Sequence, residues 1–375
     1  MPQTNRYIFI RRNMNYDELT QEAVDLLCRL IETPRISREE NDAVTLLAGW
    51  MKQRGIEAER HGNNLVVRSR NNQAGRPTLL LNAHIDTVRP TNAWNSDPHK
   101  ATIEGDRLTG LGSNDDGASL VCLTQVFRLL ARNTDLPYNL ILAISSEEEV
   151  SGKGGMESLV PLLGDVDVAL VGEPTGMQPA IAEKGLMVVD VVAHGKAGHA
   201  ARDEGDNAIY HALDDIQWVR NHQFERVSPL LGPVKTTVTI VNAGTQHNVV
   251  PAECTFTIDV RSNELYTNQE LFQTLQAGLK GEATARSFRL GSSRIAENHP
   301  LVQAAVALGR TPFGSPTLSD QALMPWPSMK MGPGDSQRSH TANEYIFVSE
   351  IRDSIETYHR MLCNLQLIGP TTSRD

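Results

Sequence analysis

The sequence predicts an α/β protein: a mainly parallel, helix-covered sheet interrupted by an inserted α+β domain. Two patterns carry that prediction. In the first half of the chain and again at its end, short unbroken apolar runs alternate with amphipathic helical spacing, as strands buried on both faces of a parallel sheet do. Between 183 and 290 the strand-like runs alternate apolar and polar residues, which marks antiparallel strands with one solvated face. The expected division is therefore 1–182 and 291–375 in one domain and 183–290 in the insertion.

Each element follows from its local pattern. "MPQTNRYIFIRRN" (residues 1–13) has only Ile8–Ile10 as an apolar core and reads as a disordered extension, not a signal peptide. "NYDELTQEAVDLLCRLI" after Met14 is an amphipathic helix, and "AVTLLAGWMKQRG" is a second one that stops at Gly55. "PTLLLNAHIDTV", "YNLILAIS" and "VDVALVG" are buried strands, with "GASLVCLTQVFRLLAR" a helix among them. In the insertion, the alternating runs "LMVVDVVAHG", "KTTVTIVNAG" and "CTFTIDVRS" are interleaved with helical "NAIYHALDDIQWVRNH" and "NQELFQTLQAGL". This is a β-α-β-β-α-β, ferredoxin-like order. "HPLVQAAVALG" and "WPSMKMGPG" resume the α/β style, and "SEIRDSIETYHRMLCNLQL" is the final helix.

Composition excludes several classes. A net charge of −10 repels nucleic acid and anionic membranes, so neither is an expected partner. No apolar run approaches the roughly 20 residues that span a bilayer. Cys28, Cys122, Cys254 and Cys363 are scattered in apolar contexts without metal-site spacing, which predicts buried free thiols and a cytoplasmic protein.

The chemistry gathers at strand ends. "LLLNA" ends at His84, with Asp86 two positions on; "GLGSNDDG" puts Asp115 and Asp116 before a helix. "LILAISS" runs into Glu147, Glu148 and Glu149; "VALVG" precedes Glu173; and "SMKMGPGDSQRSH" leads to His340. Carboxyl ends of parallel strands share one edge, where α/β proteins bind ligands. Two histidines with several carboxylates and no thiol suit zinc, cobalt or manganese. Two such ions need a bridging carboxylate, and a spare carboxylate serves as general base. The glycines after the acid triplet are expected to let the backbone approach the site.

These motifs resemble those of the co-catalytic zinc amidohydrolases of the M20 peptidase family, over nearly the whole chain after residue 14. The resemblance implies a zinc-peptidase catalytic domain with a lid and dimerisation insertion, and two divalent ions, with cobalt or manganese able to replace zinc. "NAHIDTV" implies His84 as a ligand with Asp86 orienting it; "GLGSNDDG" implies Asp115 as the bridge. "SEEEVSGKGG" implies Glu148 as general base and Glu149 as ligand, although the triplet also admits Glu147 and Glu148 in those roles. Glu173 and His340 complete the set: His84, Glu173 and Asp115 on one ion, Glu149, His340 and Asp115 on the other. Leu111 replaces the arginine of many relatives, and Asp116-Gly117 replaces a common x-Lys-Gly; neither removes a ligand.

In the insertion, "HGKAGHAARDEGDNAI" resembles the segment whose histidine, His199, supports the oxyanion in the partner subunit's site of a homodimer. "GTQHNVVPAECTFTIDVR" resembles the segment offering Asn248 and Arg261 to a substrate α-carboxylate. Asp320 is a candidate for a substrate ammonium, with a loop cap as its plainer reading. Asp116 is read as structural, a helix N-terminal acid, and His194, Lys196 and His247 as surface residues. The implied reaction is hydrolysis of an N-acyl amino acid, with N-acetyl- or N-succinyl-ornithine of arginine biosynthesis foremost. Succinyl-diaminopimelate desuccinylase, a dipeptidase and a non-catalytic binding relative are the alternatives.

Overall fold

The computed structural model describes residues 15–367; the extension expected at 1–13 lies outside them. The chain divides into two compact units, one of residues up to Ala180, Ala296–Pro312 and from Met324 on, the other of Ile181–Ile295 and Phe313–Leu323. The sequence boundaries put all of 291–375 with the first unit. Instead, residues 181–182, 291–295 and 313–323, Asp320 included, cluster with the second. The physical reason is pairing: the strand at Phe313–Ser315 bonds to that at Ala180–Glu183, and Ser319 bonds to Glu183.

The first unit opens with α1 (Tyr16–Ile31) and α2 (Asn41–Gln53), the latter followed by Gly55 at φ +75°. β1 (Glu59–His61) and β2 (Asn64–Arg68) form a hairpin, and β3 (Thr78–His84) follows. After the short β4 (Thr102–Glu104) and β5 (Arg107–Thr109) come α3 (Gly117–Leu130) and β6 (Asn139–Ser145). α4 (Met156–Leu163) and β7 (Val168–Val171) end the first pass. β3 and β6 are buried almost throughout, as their unbroken apolar runs require. α3 is buried all round from Gly117 to Phe127, a central helix between sheet and outer helices.

The second unit begins in β8 (Ala180–Glu183) and β9 (Met187–His194). β10 (Gly198–His199), α5 (Ala208–Asn221), β11 (Lys235–Ala243), β12 (Val249–Val250) and β13 (Glu253–Arg261) follow. α6 (Asn268–Gly278), β14 (Glu282–Ala285) and β15 (Ser293–Arg294) complete it, with β16 (Phe313–Ser315) joining later. The four long strands pair antiparallel in the order β11-β13-β9-β14, the ferredoxin-like arrangement. Val189, Val191, Phe256 and Ile258 of the sheet bury against Ala208, Ala212, Leu271 and Leu275 of the two helices. β11 departs from the expected half-solvated strand: Thr239–Ala243 are exposed on both faces.

The chain returns through α7 (Pro300–Val306), β17 (Ser328–Lys330), β18 (Tyr345–Phe347) and α8 (Val348–Cys363). β17 pairs parallel with β7, so the first unit's sheet reads β1-β2-β6-β3-β7-β17. β3, β6, β7 and β17 run parallel, while the β1–β2 and β2–β6 pairs are antiparallel. α1, α3 and α8 pack together over this sheet. All four cysteines are free; Cys122 and Cys254 are buried, whereas Cys28 and Cys363 are only half-buried. No helix among the described residues is long and apolar enough to cross a membrane.

Candidate metal centre

Parallel pairing delivers the site. His84 ends β3 directly opposite Ser145, the end of β6, so the histidine and the acidic turn leave the sheet side by side. His84 Nε2 lies 3.1 Å from Asp115 Oδ1. His340 Nε2 lies 2.8 Å from Glu149 Oε2 and 3.6 Å from Asp115 Oδ2. Asp115 thus presents one oxygen to each histidine. His84, Asp115 and Glu149 each offer a ligand atom within 4.8 Å of the others. Glu173, two residues past β7, is not among those three; it is buried in the same unit.

The three adjacent glutamates separate because of their backbone. Glu147 adopts φ +55°, in the left-handed region, and Ser151 follows at +45°. Glu147 turns away from the histidines to within 3.6 Å of Arg38, and its N–H donates to Glu40 Oε1 at 3.3 Å. Side chains at Gly152 or Gly154 would collide with the Glu147 carboxylate, and one at Gly155 with the Ser146 carbonyl oxygen. These glycines make room for the turn itself, not for approach to the ligand atoms, which corrects the sequence expectation.

Asp86 pins the other two. It is fully buried, its Oδ1 accepts the Glu148 N–H at 3.0 Å and its Oδ2 the Glu149 N–H at 3.1 Å. Ser37 Oγ donates to the same Oδ2 at 2.6 Å, and His84 Nδ1 stands 3.4 Å from Oδ1. Burial opposes ionisation of Asp86, but these partners hold its carboxyl below the usual range. Glu344 pins the Asp115 loop, accepting from the N–H groups of Gly112, Asn114 and Asp115, although burial raises its carboxyl to about 7. Buried Arg35 ties Ile85 O at 2.6 Å to Gly112 O at 2.8 Å.

The electrostatics fit a bound cation. Burial and then the Asp115 charge push Glu149 upward and Glu173 well above the usual carboxylate range, with Lys330 and the histidines opposing. Burial likewise raises Asp116 to about 7, with Asp115 adding to it. Burial disfavours charge on His84, yet hydrogen bonds to Asp115 and Asp86 raise it well above normal. The Glu149 hydrogen bond, against burial, raises His340 to about 9. Carboxylates crowded enough to resist ionisation, beside imidazoles held as cations, are what a divalent ion would relieve. Oxygen and imidazole donors without thiolate suit zinc, cobalt or manganese.

The insertion's candidates lie in the second unit. His199 is exposed on the β10–β12 ribbon opposite Val249, and its Nδ1 accepts the Ala201 N–H at 3.1 Å. Asn248 is exposed beside it, its carbonyl accepting the Ala200 N–H at 3.0 Å. Arg261 ends β13 and forms a fork with Asp259 at 2.8 and 3.1 Å. Asp320 is buried at the start of a short 3-10 turn. His194, Lys196 and His247 are exposed, as expected of surface residues. Asp116 is the N-cap of α3 but makes no capping bond, and is wholly buried. Sequence reading missed Arg35, Ser37, Glu40 and Glu344, which hold the loops; Glu344 lies only four residues past His340.

The comparisons agree with this geometry. The profile of Peptidase family M20/M25/M40 matches residues 80–364. The acetylornithine deacetylase of Klebsiella pneumoniae (strain 342) is 27% identical over 91% of this chain and 97% of its own. The succinyl-diaminopimelate desuccinylase of Gluconobacter oxydans (strain 621H) is also 27% identical, over 67% of this chain and 70% of its own. Aminopeptidase PepT of Bacillus cereus shares the fold at a TM-score of 0.73, 19% identity, and 93% and 98% coverage of the two chains. A dinuclear metal-binding peptidase of Bacillus subtilis does so at 0.71 and 16%, over 94% and 100%. With its family match across most of the length and its imidazole–carboxylate centre at the sheet edge, the chain belongs to peptidase family M20/M25/M40 and is a metal-dependent hydrolase.

Proposed function

We propose that this hydrolase cleaves the amide bond of an N-acyl amino acid with a free α-carboxylate, N-acetyl- or N-succinyl-ornithine foremost, as a step of arginine biosynthesis in the cytoplasm. The observation that carries a two-ion centre is Asp115, whose two oxygens face His84 and His340 separately. His84, Asp115 and Glu173 would hold one ion, and Asp115, Glu149 and His340 the other, with zinc native and cobalt or manganese able to substitute. Bound ions supply a Lewis acid for the amide carbonyl and lower the pKa of water. Glu148, with its N–H fixed by Asp86, takes the proton of the attacking water and returns it to the leaving amine.

His199 of a second copy supports the developing oxyanion in this reading. Asn248 and Arg261 hold the α-carboxylate, Arg261 exchanging its Asp259 partner for substrate, and Asp320 meets the ornithine ammonium. A homodimer is supported by the free edge of β11, where Ile240 and Val241 stand exposed at 49% and 53%. The relative named acetylornithine deacetylase, aligned over nearly all of both chains, supports an N-acyl-ornithine as substrate.

A panel of N-acetyl- and N-succinyl-ornithine, N-succinyl-diaminopimelate and dipeptides, assayed with zinc and with cobalt, tests the assignment. Highest kcat/KM on an N-acyl-ornithine is expected. Preference for succinyl-diaminopimelate or for dipeptides would replace the substrate, and no turnover of any would overturn the reading.

A further inference from the structure

Arg54, Arg68, Arg70, Arg128 and Arg132 line a single cavity of about 440 Å³ in a chain whose net charge is −10. Glu57 and Glu59 line it as well and Glu22 pairs with Arg54 and Arg128, so five guanidiniums meet three carboxylates and positive charge remains in excess. Arg54 and Arg128 are set rigidly. Their guanidiniums lie 3.7 and 2.6 Å from the Glu22 carboxylate and flank Trp50, Arg54 Cζ standing 3.8 Å from the ring centroid. The Nε atom of each is buried without a hydrogen-bond partner. Arg68 is held by Glu59 at 3.6 Å and by Leu162 O at 2.7 Å; Arg70, 3.6 Å from Glu57, and Arg132 are exposed. Beneath them, Ile56, Val67 and Phe127 form a buried apolar floor.

This cavity is not part of the hydrolytic centre. β2 runs antiparallel to β6, so Arg68 stands opposite Ile141, near the start of β6. His84 stands opposite Ser145, at the other end of that strand. Four residues of strand, about 13 Å, separate the two levels. Arginine forks match phosphate and paired carboxylates bidentately, and an apolar floor matches a ring or hydrocarbon body. The volume is that of a small-molecule site, and the acidic chain disfavours a long polyanion. We propose that this cavity binds a small organic anion, an apolar ring body carrying a phosphate or a pair of carboxylates, independently of the hydrolytic centre.

Calorimetric titration of the metal-loaded protein tests it with four probes: 1-naphthyl phosphate, naphthalene-2,3-dicarboxylate, inorganic phosphate and 1-naphthol. At least one naphthyl anion should bind roughly tenfold or more tightly than either inorganic phosphate or naphthol, since it alone meets both arginines and floor. The phosphate and dicarboxylate arms identify the head group. Arg70→Gln and Arg132→Gln should each weaken that binding by roughly tenfold and leave hydrolysis without probe unchanged. Naphthol or inorganic phosphate binding as tightly as the naphthyl anions would overturn the proposal, as would binding of no probe. Binding that survives both substitutions would place the probe elsewhere and overturn it equally.

Discussion

Glu147, Glu148 and Glu149 are adjacent in the chain and end in different surroundings. Glu147 faces Arg38, Glu149 faces His340, and Asp86 receives the N–H groups of the last two. Under the proposed roles, Glu148→Gln should keep the metal content and cut kcat by about 10²–10⁴, because proton transfer is lost while no ligand is. Loss of an ion in elemental analysis would show the acids misassigned. His340 offers a second check. Its pKa of about 9 in the metal-free protein means that an ion must displace a proton from it at neutral pH. Zinc added near pH 7.5 to metal-free protein in weak buffer should therefore release protons, and His340→Ala should release fewer. Equal release by both proteins would remove His340 from the ligand set.

At the scale of elements, the turn after β6 depends on space as much as on charge. A Cβ at Gly155 would meet the Ser146 carbonyl oxygen, a backbone atom that cannot swing aside. Gly155→Ala should cost about 1–3 kcal/mol in denaturant unfolding, as overpacking does; an unchanged midpoint would mean that the turn is pliable. In the second unit, α6 begins with a reciprocal capping box in which Thr267 and Glu270 satisfy each other's backbone N–H groups. The Thr267 N–H and the Arg226 guanidinium lower Glu270 from 4.5 to about 2. The folded state therefore favours the ionised form. Its contribution is complete above about 4.5 and is lost as pH falls through about 2. Wild type and Glu270→Gln should differ in stability by a constant amount at neutral pH, and the difference should close on acidification through that window. A gap that widens in acid would contradict the sign.

For the whole molecule, the roles of Glu148 and His199 predict complementation between subunits. Homodimers of Glu148→Gln and of His199→Ala should each be nearly inactive. Mixed under conditions of subunit exchange, they form heterodimers with one doubly damaged site and one intact site. Random exchange should restore roughly a quarter of wild-type activity if a closed twofold dimer donates His199 across its interface. Demonstrated exchange without recovery would confine His199 to its own chain or to no role.

Local pattern was enough to determine the fold class. Unbroken apolar runs at β3 and β6 state that both strand faces are covered, and alternation along β9 and β13 states that one face is wet. Because parallel strands end at one edge, the same pattern brings His84 and the acidic turn together. Alternation did not reveal that the end of β11 is exposed on both faces, since periodicity records which side a residue points to and not what covers it. Nor did it say which glutamate of the triplet turns inward. That was decided by a positive φ at Glu147 and by Asp86, sixty-odd residues upstream, through hydrogen bonds that depend on the register of β3 against β6. The arginine cavity is likewise tertiary: residues 54–70 and 127–132 are ordinary charged positions in sequence, and only strand pairing and helix packing converge them on one volume. Apolar periodicity is written locally because burial acts on each residue singly, whereas charge–charge geometry exists only between segments that folding has brought side by side.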